Sequence, residues 1–199
     1  MNALDKSNLA AICTRPGSHL DLVVQAMPAP KPPGPGEIQV ALTASGLNFS
    51  DLVKFQGRYQ VQTELPFIVG GEASGRVLAI GPSVEDLLIG DAVLVPTGCV
   101  RFQTILASQA TKVPDGVDLR VAASFRQNYQ AAIDGLQRAQ LRPGETLLVQ
   151  GAAGGVGLAA VDLGLQMGAR VIGVVSTEAK QAVVARYGAQ TILLGDQGF

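Results

Sequence analysis

Residues Leu147–Gly164 read LLVQGAAGGVGLAAVDLG, an apolar run broken by glycines and resumed by small and apolar residues at helical spacing. LLVQ has the character of a strand, and the residues from Val156 onward that of a helix. A glycine-rich break between the two suits phosphate. Glycine lets the backbone come close to an anion, and the helix N-terminus offers orphan N–H groups and the positive end of its dipole. Aligned with the dinucleotide-binding pattern, Ala152, Gly154 and Gly157 take the three glycine positions, so the first is substituted; Gly155 and Val156 lie between the other two. No Gly-Lys-Ser/Thr follows, which speaks against a nucleoside-triphosphate loop. The same residues would also suit a tight turn packed on a sheet without a ligand, so the surroundings have to decide.

Working outward, ETLLVQ reads as a strand, VGLAAVDLGLQMG as a helix closing at Gly168 and ARVIGVV as a second strand. EAKQAVVARYG then reads as a helix closing at Gly188, and QTILL as a third strand. This alternation, with near-continuous apolar strands, predicts parallel pairing with helices on the faces. In such a unit an NAD-binding chain places an acid at the end of the second strand, about 20 residues past the glycines. Here that place is VVSTEAK, with Ser176 at the strand tip and Lys180 one turn into the next helix. A small polar residue with a cation nearby accepts a 2′-phosphate that a carboxylate would repel, so the expected cofactor is NADPH. Glu178 in the same turn works against it, and the alternative is that Ser176 caps the helix while Lys180 is solvated.

Before residue 120 the rhythm differs. LDLVV, EIQVALTA, GRVLAI and DAVLVP are strand-like and split by PAPKPPGPG, GPS and PTG, which predicts a β-rich barrel or sandwich. SFRQNYQAAIDGLQRAQ reads as a helix connecting the two parts. The 199 residues are 47% hydrophobic and 16% charged, with a formal net charge of −1. That balance gives no electrostatic reason to expect nucleic acid or an anionic membrane. No window approaches the ~18 uncharged apolar residues of a membrane span. The start, with Asp5 and no long apolar stretch, does not read as a secretory signal. Two cysteines, Cys13 and Cys99, suit reduced thiols better than a disulfide framework, so a cytoplasmic location is expected.

Several motifs in register extend the reading. GPGEIQVALTASGLNFSDLVKFQGRYQ, LPFIVGGEASGRVLAIG, GDAVLV, RPGETLLVQGAAGGVGLAAV and ARVIGVVSTEAK occur in this order. In this the chain resembles the medium-chain dehydrogenase/reductase superfamily, and within it the zinc-free quinone oxidoreductase branch related to zeta-crystallin. The resemblance implies an α/β protein. A GroES-like catalytic domain over residues 1–122, lacking its C-terminal return, precedes the N-terminal half of a Rossmann NADP-binding domain over residues 123–199. It implies NADPH in the cleft between them and hydride transfer to a small molecule, a quinone or another activated double bond. It also implies homodimers for full-length members, a state that is doubtful for this chain.

Metal is expected to be absent. One His and two Cys cannot build a four-cysteine zinc site. Zinc-dependent relatives place a Cys where Asn48 stands and a His where Gly71 stands, and AASFRQNYQ, which matches their third ligand's stretch, has no Cys. Without metal, hydride transfer needs positioning and polar donors to steady developing charge. By resemblance those donors are Asn48, at the cleft floor, and Tyr59, near the substrate oxygen, while Asp51 orders the loop. The bland alternative is that Asn48 caps a helix beginning FSDLVKF and Tyr59 packs at the domain edge.

Some positions depart from the branch's pattern. Ala131 replaces a Thr that contacts the nicotinamide, CVRFQT replaces a glycine-rich turn, and Gly195 stands where some members carry a cofactor-stacking Tyr. Full-length members continue through three more strands, which would make TLLVQ an edge strand here. The competing expectations are therefore an oxidoreductase complete only in a longer chain, a non-enzymatic dinucleotide-binding protein, and an inactive truncated fragment.

Overall fold

The computed structural model describes residues 7–194, so Asp5 and Gly195 lie outside the described residues. The chain divides into two compact units that part between Arg126 and Gln127.

The first unit is β-rich, as expected. Its strands are β1 (Asn8–Cys13), β2 (Val23–Met27), β3 (Glu37–Gly46), β4 (Phe67–Ile68), β5 (Glu72–Ile80), β6 (Ala92–Val95), β7 (Phe102–Leu106) and β8 (Thr111–Lys112). One short helix, α1 (Phe49–Phe55), interrupts them, and a second, α2 (Leu119–Ala122), follows β8. The strands form a five-stranded sheet in the order β7-β3-β5-β6-β8 and a three-stranded one in the order β2-β1-β4. Alternate residues of β3, β5 and β6 turn inward, so Ile38, Val40, Ala73, Val77, Val93 and Val95 form one apolar core.

Sequence rhythm misplaces one strand here. In LDLVV, Leu20 and Asp21 belong to a single 3₁₀ turn over His19–Asp21, and the strand begins only at Val23. Ser18 explains it. Its hydroxyl accepts from the Leu20 N–H at 3.0 Å, and the Asp21 carboxylate accepts in turn from the Ser18 N–H at 2.9 Å.

The second unit begins in α3 (Arg126–Arg138) and alternates β9 (Thr146–Gln150), α4 (Gly155–Gln166), β10 (Arg170–Val175), α5 (Glu178–Ala185) and β11 (Gln190–Leu193). The three strands are parallel in the order β11-β10-β9. This is the expected βαβαβ half of a Rossmann sheet. Val149, Ala152, Val161, Val171, Val175 and Val184 are buried together between sheet and helices. Among the described residues β9 pairs only with β10, so its other edge is open, and Leu148 is 52% exposed. No helix among the described residues is long and apolar enough to cross a membrane.

Across α3 and α4, the Tyr129 hydroxyl donates to Asp162 at 2.6 Å, and Gln166 donates to the same carboxylate at 2.9 Å. Burial, then the Asp162 hydrogen bond and charge, push Tyr129 up to about 12.

Candidate functional site

The turn after β9 is built around Gly151 and Gly154. Gly151 takes a positive φ of 62°, which a side chain would resist, and its carbonyl accepts from the Gly154 N–H at 2.9 Å. Ala152, aligned above with the first glycine of the pattern, does something else. It is fully buried, and its N–H donates to the Val174 carbonyl at 3.1 Å. Ala152 therefore supports the turn from the core side, while the conformational demand falls one residue earlier. Gly154 is the N-cap of α4, in extended conformation. The next three residues, Gly155, Val156 and Gly157, occupy the first helical turn, where N–H groups lack a partner one turn back.

The glycines differ in what they do. A Cβ on Gly157 would lie 2.8 Å from the Ala152 Cα and closer still to the Gly151 carbonyl oxygen. Gly157 is thus required for helix and strand to pack. A Cβ on Gly154 would meet only the Gly151 oxygen, at 3.3 Å, on the open side of the turn.

That open side is one wall of a cleft of about 310 Å³, lined by Gly151, Ala153, Gly154, Val174, Val175, Ser176, Lys180 and Leu194. At its far end the Lys180 ammonium donates to the Ser176 hydroxyl at 3.0 Å. The structure thus brings Gly154, Ser176 and Lys180, separated in sequence, to one depression. It also corrects the capping alternative. Thr177, not Ser176, is the N-cap of α5, and its hydroxyl accepts from the Lys180 N–H at 3.3 Å. Ser176 and Lys180 are both exposed, so the pair faces outward as a hydroxyl and a cation. Gly151, Ala153 and Leu194 are lining residues that pattern matching missed; a glycine immediately before the substituted first position was the available signal.

In the first unit Asn48 is the N-cap of α1, as its bland reading holds. Asp51, 2% exposed, accepts from the Asn48 N–H at 2.9 Å and so orders the start of the helix. The Asn48 side-chain amide donates to Glu72, which is 1% exposed, at 2.8 Å. Tyr59 is half-buried and lies under the Lys54 ammonium, which sits 5.2 Å from the ring centre and 3.7 Å from the Asp51 carboxylate. Tyr59 and Lys54 line a pocket of about 200 Å³ with Gln62, Thr63, Leu65 and Phe67; Asn48 is not part of its wall. Among the described residues no group of three or more His, Cys, Asp or Glu side chains is placed to hold a metal ion. Cys13 and Cys99 are free thiols, and burial raises that of Cys99.

Comparison with known proteins fits this architecture. Residues 34–127 match the alcohol dehydrogenase GroES-like domain. The chain is 39% identical over 194 residues to a quinone oxidoreductase-like protein 2 homolog of Nematostella vectensis, covering 92% of this chain and 51% of that protein. Among solved structures, one described as a "probable oxidoreductase" from Mycobacterium abscessus superposes with a TM-score of 0.88 at 32% identity, over 96% of this chain and 63% of that one. The chain belongs to the medium-chain dehydrogenase/reductase superfamily. A mycobacterial superfamily structure complexed with NADPH has a TM-score of 0.84 at 34% identity, over 96% of this chain and 60% of that one. The chain spans about half the length of the quinone oxidoreductase-like relatives it matches. Both superfamily signatures, the β-rich GroES-like domain and the strand–turn–helix around Gly154, are thus present in one chain.

Proposed function

We propose that this chain carries the cofactor-binding part of a zinc-independent oxidoreductase that uses NADPH to reduce a quinone or another activated double bond. The observation that supports it most is the cleft in which the glycine turn and the Ser176–Lys180 pair meet. The donor set fits a dinucleotide. Gly154 leaves the turn open to a close approach, and the first turn of α4 directs N–H groups and a dipole end toward a diphosphate. Ser176 and Lys180 offer a hydroxyl and a cation, where a ribose carrying a 2′-phosphate would need them. The reading is also supported by the resemblance to superfamily structures, one of which holds NADPH.

When bound, NADPH supplies the hydride. The chain's own residues bind and orient. Gly154, Gly155 and Val156 cradle the diphosphate through backbone, and Lys180 neutralises the 2′-phosphate. In the first unit, Asn48 and Tyr59 are the proposed polar groups toward substrate. Asn48 is held in place by Asp51 and Glu72. Tyr59 faces a pocket of apolar and neutral polar side chains with one cation, which suits an uncharged carbonyl compound.

The test is titration of the chain with NADPH and NADH, followed by NADPH oxidation in the presence of benzoquinone, naphthoquinone and enone acceptors. The expected result is tighter binding of NADPH than NADH and acceptor-dependent oxidation. Binding without turnover by any acceptor would leave a non-enzymatic dinucleotide-binding protein; absence of binding would overturn the cofactor assignment itself.

A further inference from the structure

Lys54 lies in the last turn of α1. Among the described residues that line the pocket faced by Tyr59, it is the only charged one. Its side chain is 24% exposed, and the two neighbours that hold the ammonium leave its donors open. The Asp51 carboxylate lies 3.7 Å away, near enough to attract the charge but too far for a hydrogen bond. Tyr59 offers only the face of its ring, with the ammonium 5.2 Å from the ring centre. Asp51 is itself buried and engaged, since it accepts from the Asn48 N–H at 2.9 Å. Among the described residues no hydrogen bond engages the Lys54 ammonium. The cation is thus fixed in place without its N–H groups being used.

A cation held this way has a use in hydride reduction. When a hydride enters a conjugated carbonyl compound, an electron pair moves onto the carbonyl oxygen, which stays anionic until water protonates it. The hydride comes from NADPH, which is left as NADP+. A donor already aimed at the developing charge stabilises it, and a cationic donor does so more strongly than a phenol. We infer that Lys54 is a catalytic residue whose ammonium donates to the acceptor oxygen and stabilises the oxyanion formed there. The inference rests on the oxidoreductase reading given above and narrows its substrate class. The acceptor is neutral on entry and anionic at oxygen after hydride transfer. The pocket, at about 200 Å³, lies below the roughly 300–1,000 Å³ of sites for drug-sized ligands, so it suits a single ring. A lysine in the last turn of a helix also complements the helix dipole, a structural role that the test must separate.

The test uses two one-ring probes on the full chain: 4-nitrophenolate, which carries an oxyanion, and nitrobenzene, which has the same ring without it. At a pH where the phenol is ionised, the wild-type chain is expected to bind nitrophenolate more tightly than nitrobenzene. Lys54→Met, which keeps an unbranched stem, is expected to weaken nitrophenolate by about tenfold through loss of one charge-assisted hydrogen bond. Lys54→Arg, which keeps a cationic donor, should hold nitrophenolate within about threefold of the wild type. Nitrobenzene affinity should stay within about twofold in both variants. Parallel loss of both probes in Lys54→Met would show that Lys54 only supports the fold, and overturns the inference. Unchanged nitrophenolate affinity in Lys54→Met overturns it as well, and so does a wild-type chain that binds neither probe. Titration of the same proteins with NADPH reads the cofactor assignment separately, so either failure with NADPH still bound leaves that assignment intact. A wild-type chain that binds nitrophenolate but not NADPH overturns the oxidoreductase reading, and this inference with it.

Discussion

The side-chain amide of Asn48 donates to the carboxylate of Glu72 at 2.8 Å, with Glu72 1% exposed. A carboxylate only accepts, so it dictates that the amide nitrogen faces it, while the capping box at the start of α1 engages the side chain with the Asp51 backbone. Asn48→Asp would place two carboxylates at this distance in a buried site, and one must hold a proton well above its ordinary value. A carboxyl whose folded pKa is raised binds its proton more tightly in the folded chain. Its contribution is therefore present below the unfolded value near 4 and is lost as pH rises toward the folded value. The melting temperature of Asn48→Asp should consequently fall relative to the wild type between pH 4 and 8, and Glu72→Gln in the same chain should remove that dependence. A flat difference across this range would show that the two side chains do not share the site.

Gly154 and Gly157 are both glycines of one motif, but substitution should separate them. Helix propensity alone would favour Gly157→Ala by about 1 kcal/mol. The added methyl, however, meets the backbone of Gly151 and Ala152, neither of which can yield as a flexible side chain would. Overpacking of this kind costs about 1–3 kcal/mol and should win. Gly154→Ser puts a favoured capping residue at the N-cap, where only the Gly151 oxygen is near. Its hydroxyl would accept from the first-turn N–H groups and occupy the open side of the turn. Gly157→Ala is expected to lower the melting temperature, whereas Gly154→Ser keeps it within a few degrees and loses NADPH affinity. Equal effects of the two on stability would contradict the division of roles.

What the sequence made legible was local. LLVQ, GAAGGVG and the helix after it carry their own periodicity, so the βαβαβ order and the turn could be read without knowing what packs on them. The first strand β1 and strand β7 could not be read this way, because NLAAIC and FQTIL are short and are fixed by distant partners. The Asn8 side chain accepts from the Phe102 N–H at 2.9 Å across 94 residues. The same limit hid the fit of the Asn128 side chain against Gly155, which joins two elements 27 positions apart (155 less 128). Pattern alignment could not show where the turn's conformational demand falls, since letters at Ala152 and Gly151 do not show which residue takes the positive φ. Adjacent hydroxyls at Ser176 and Thr177 were ambiguous for the same reason: the extended backbone at Thr177, with φ −146°, selects the cap.

The Ser176–Lys180 contact predicts a specificity switch. Ser176→Asp places a carboxylate within reach of the Lys180 ammonium, now 3.0 Å from the serine hydroxyl. The resulting pair neutralises the cation and adds a negative group where the 2′-phosphate would sit, but it can accept from the ribose hydroxyls of NADH. NADPH affinity should fall by at least about tenfold, or 1.4 kcal/mol, while NADH affinity holds or improves. Lys180→Ala should weaken NADPH and leave NADH nearly unchanged. If both variants lose the two cofactors alike, the pair does not face the 2′ position.

The Tyr129–Asp162 hydrogen bond makes an alkaline prediction for the second unit. Burial, and then the bond and charge of Asp162, push the Tyr129 phenol from 10 up to about 12. A raised folded pKa means the folded chain holds this proton more tightly. The stabilisation is thus complete below pH 10 and is lost as pH climbs from 10 to 12. In a spectroscopic titration of tyrosinate, one of the three tyrosines should ionise only near pH 12, and Asp162→Asn should bring it down. Tyr129→Phe should cost about 1 kcal/mol at neutral pH, a drop of about 2–4 °C in melting temperature, since Gln166 still satisfies part of the carboxylate. The deficit of Tyr129→Phe should also shrink above pH 10, because the wild type is by then losing the same bond. A deficit that stays constant to pH 12 would mean that packing of the ring, and not its hydroxyl, joins α3 to α4.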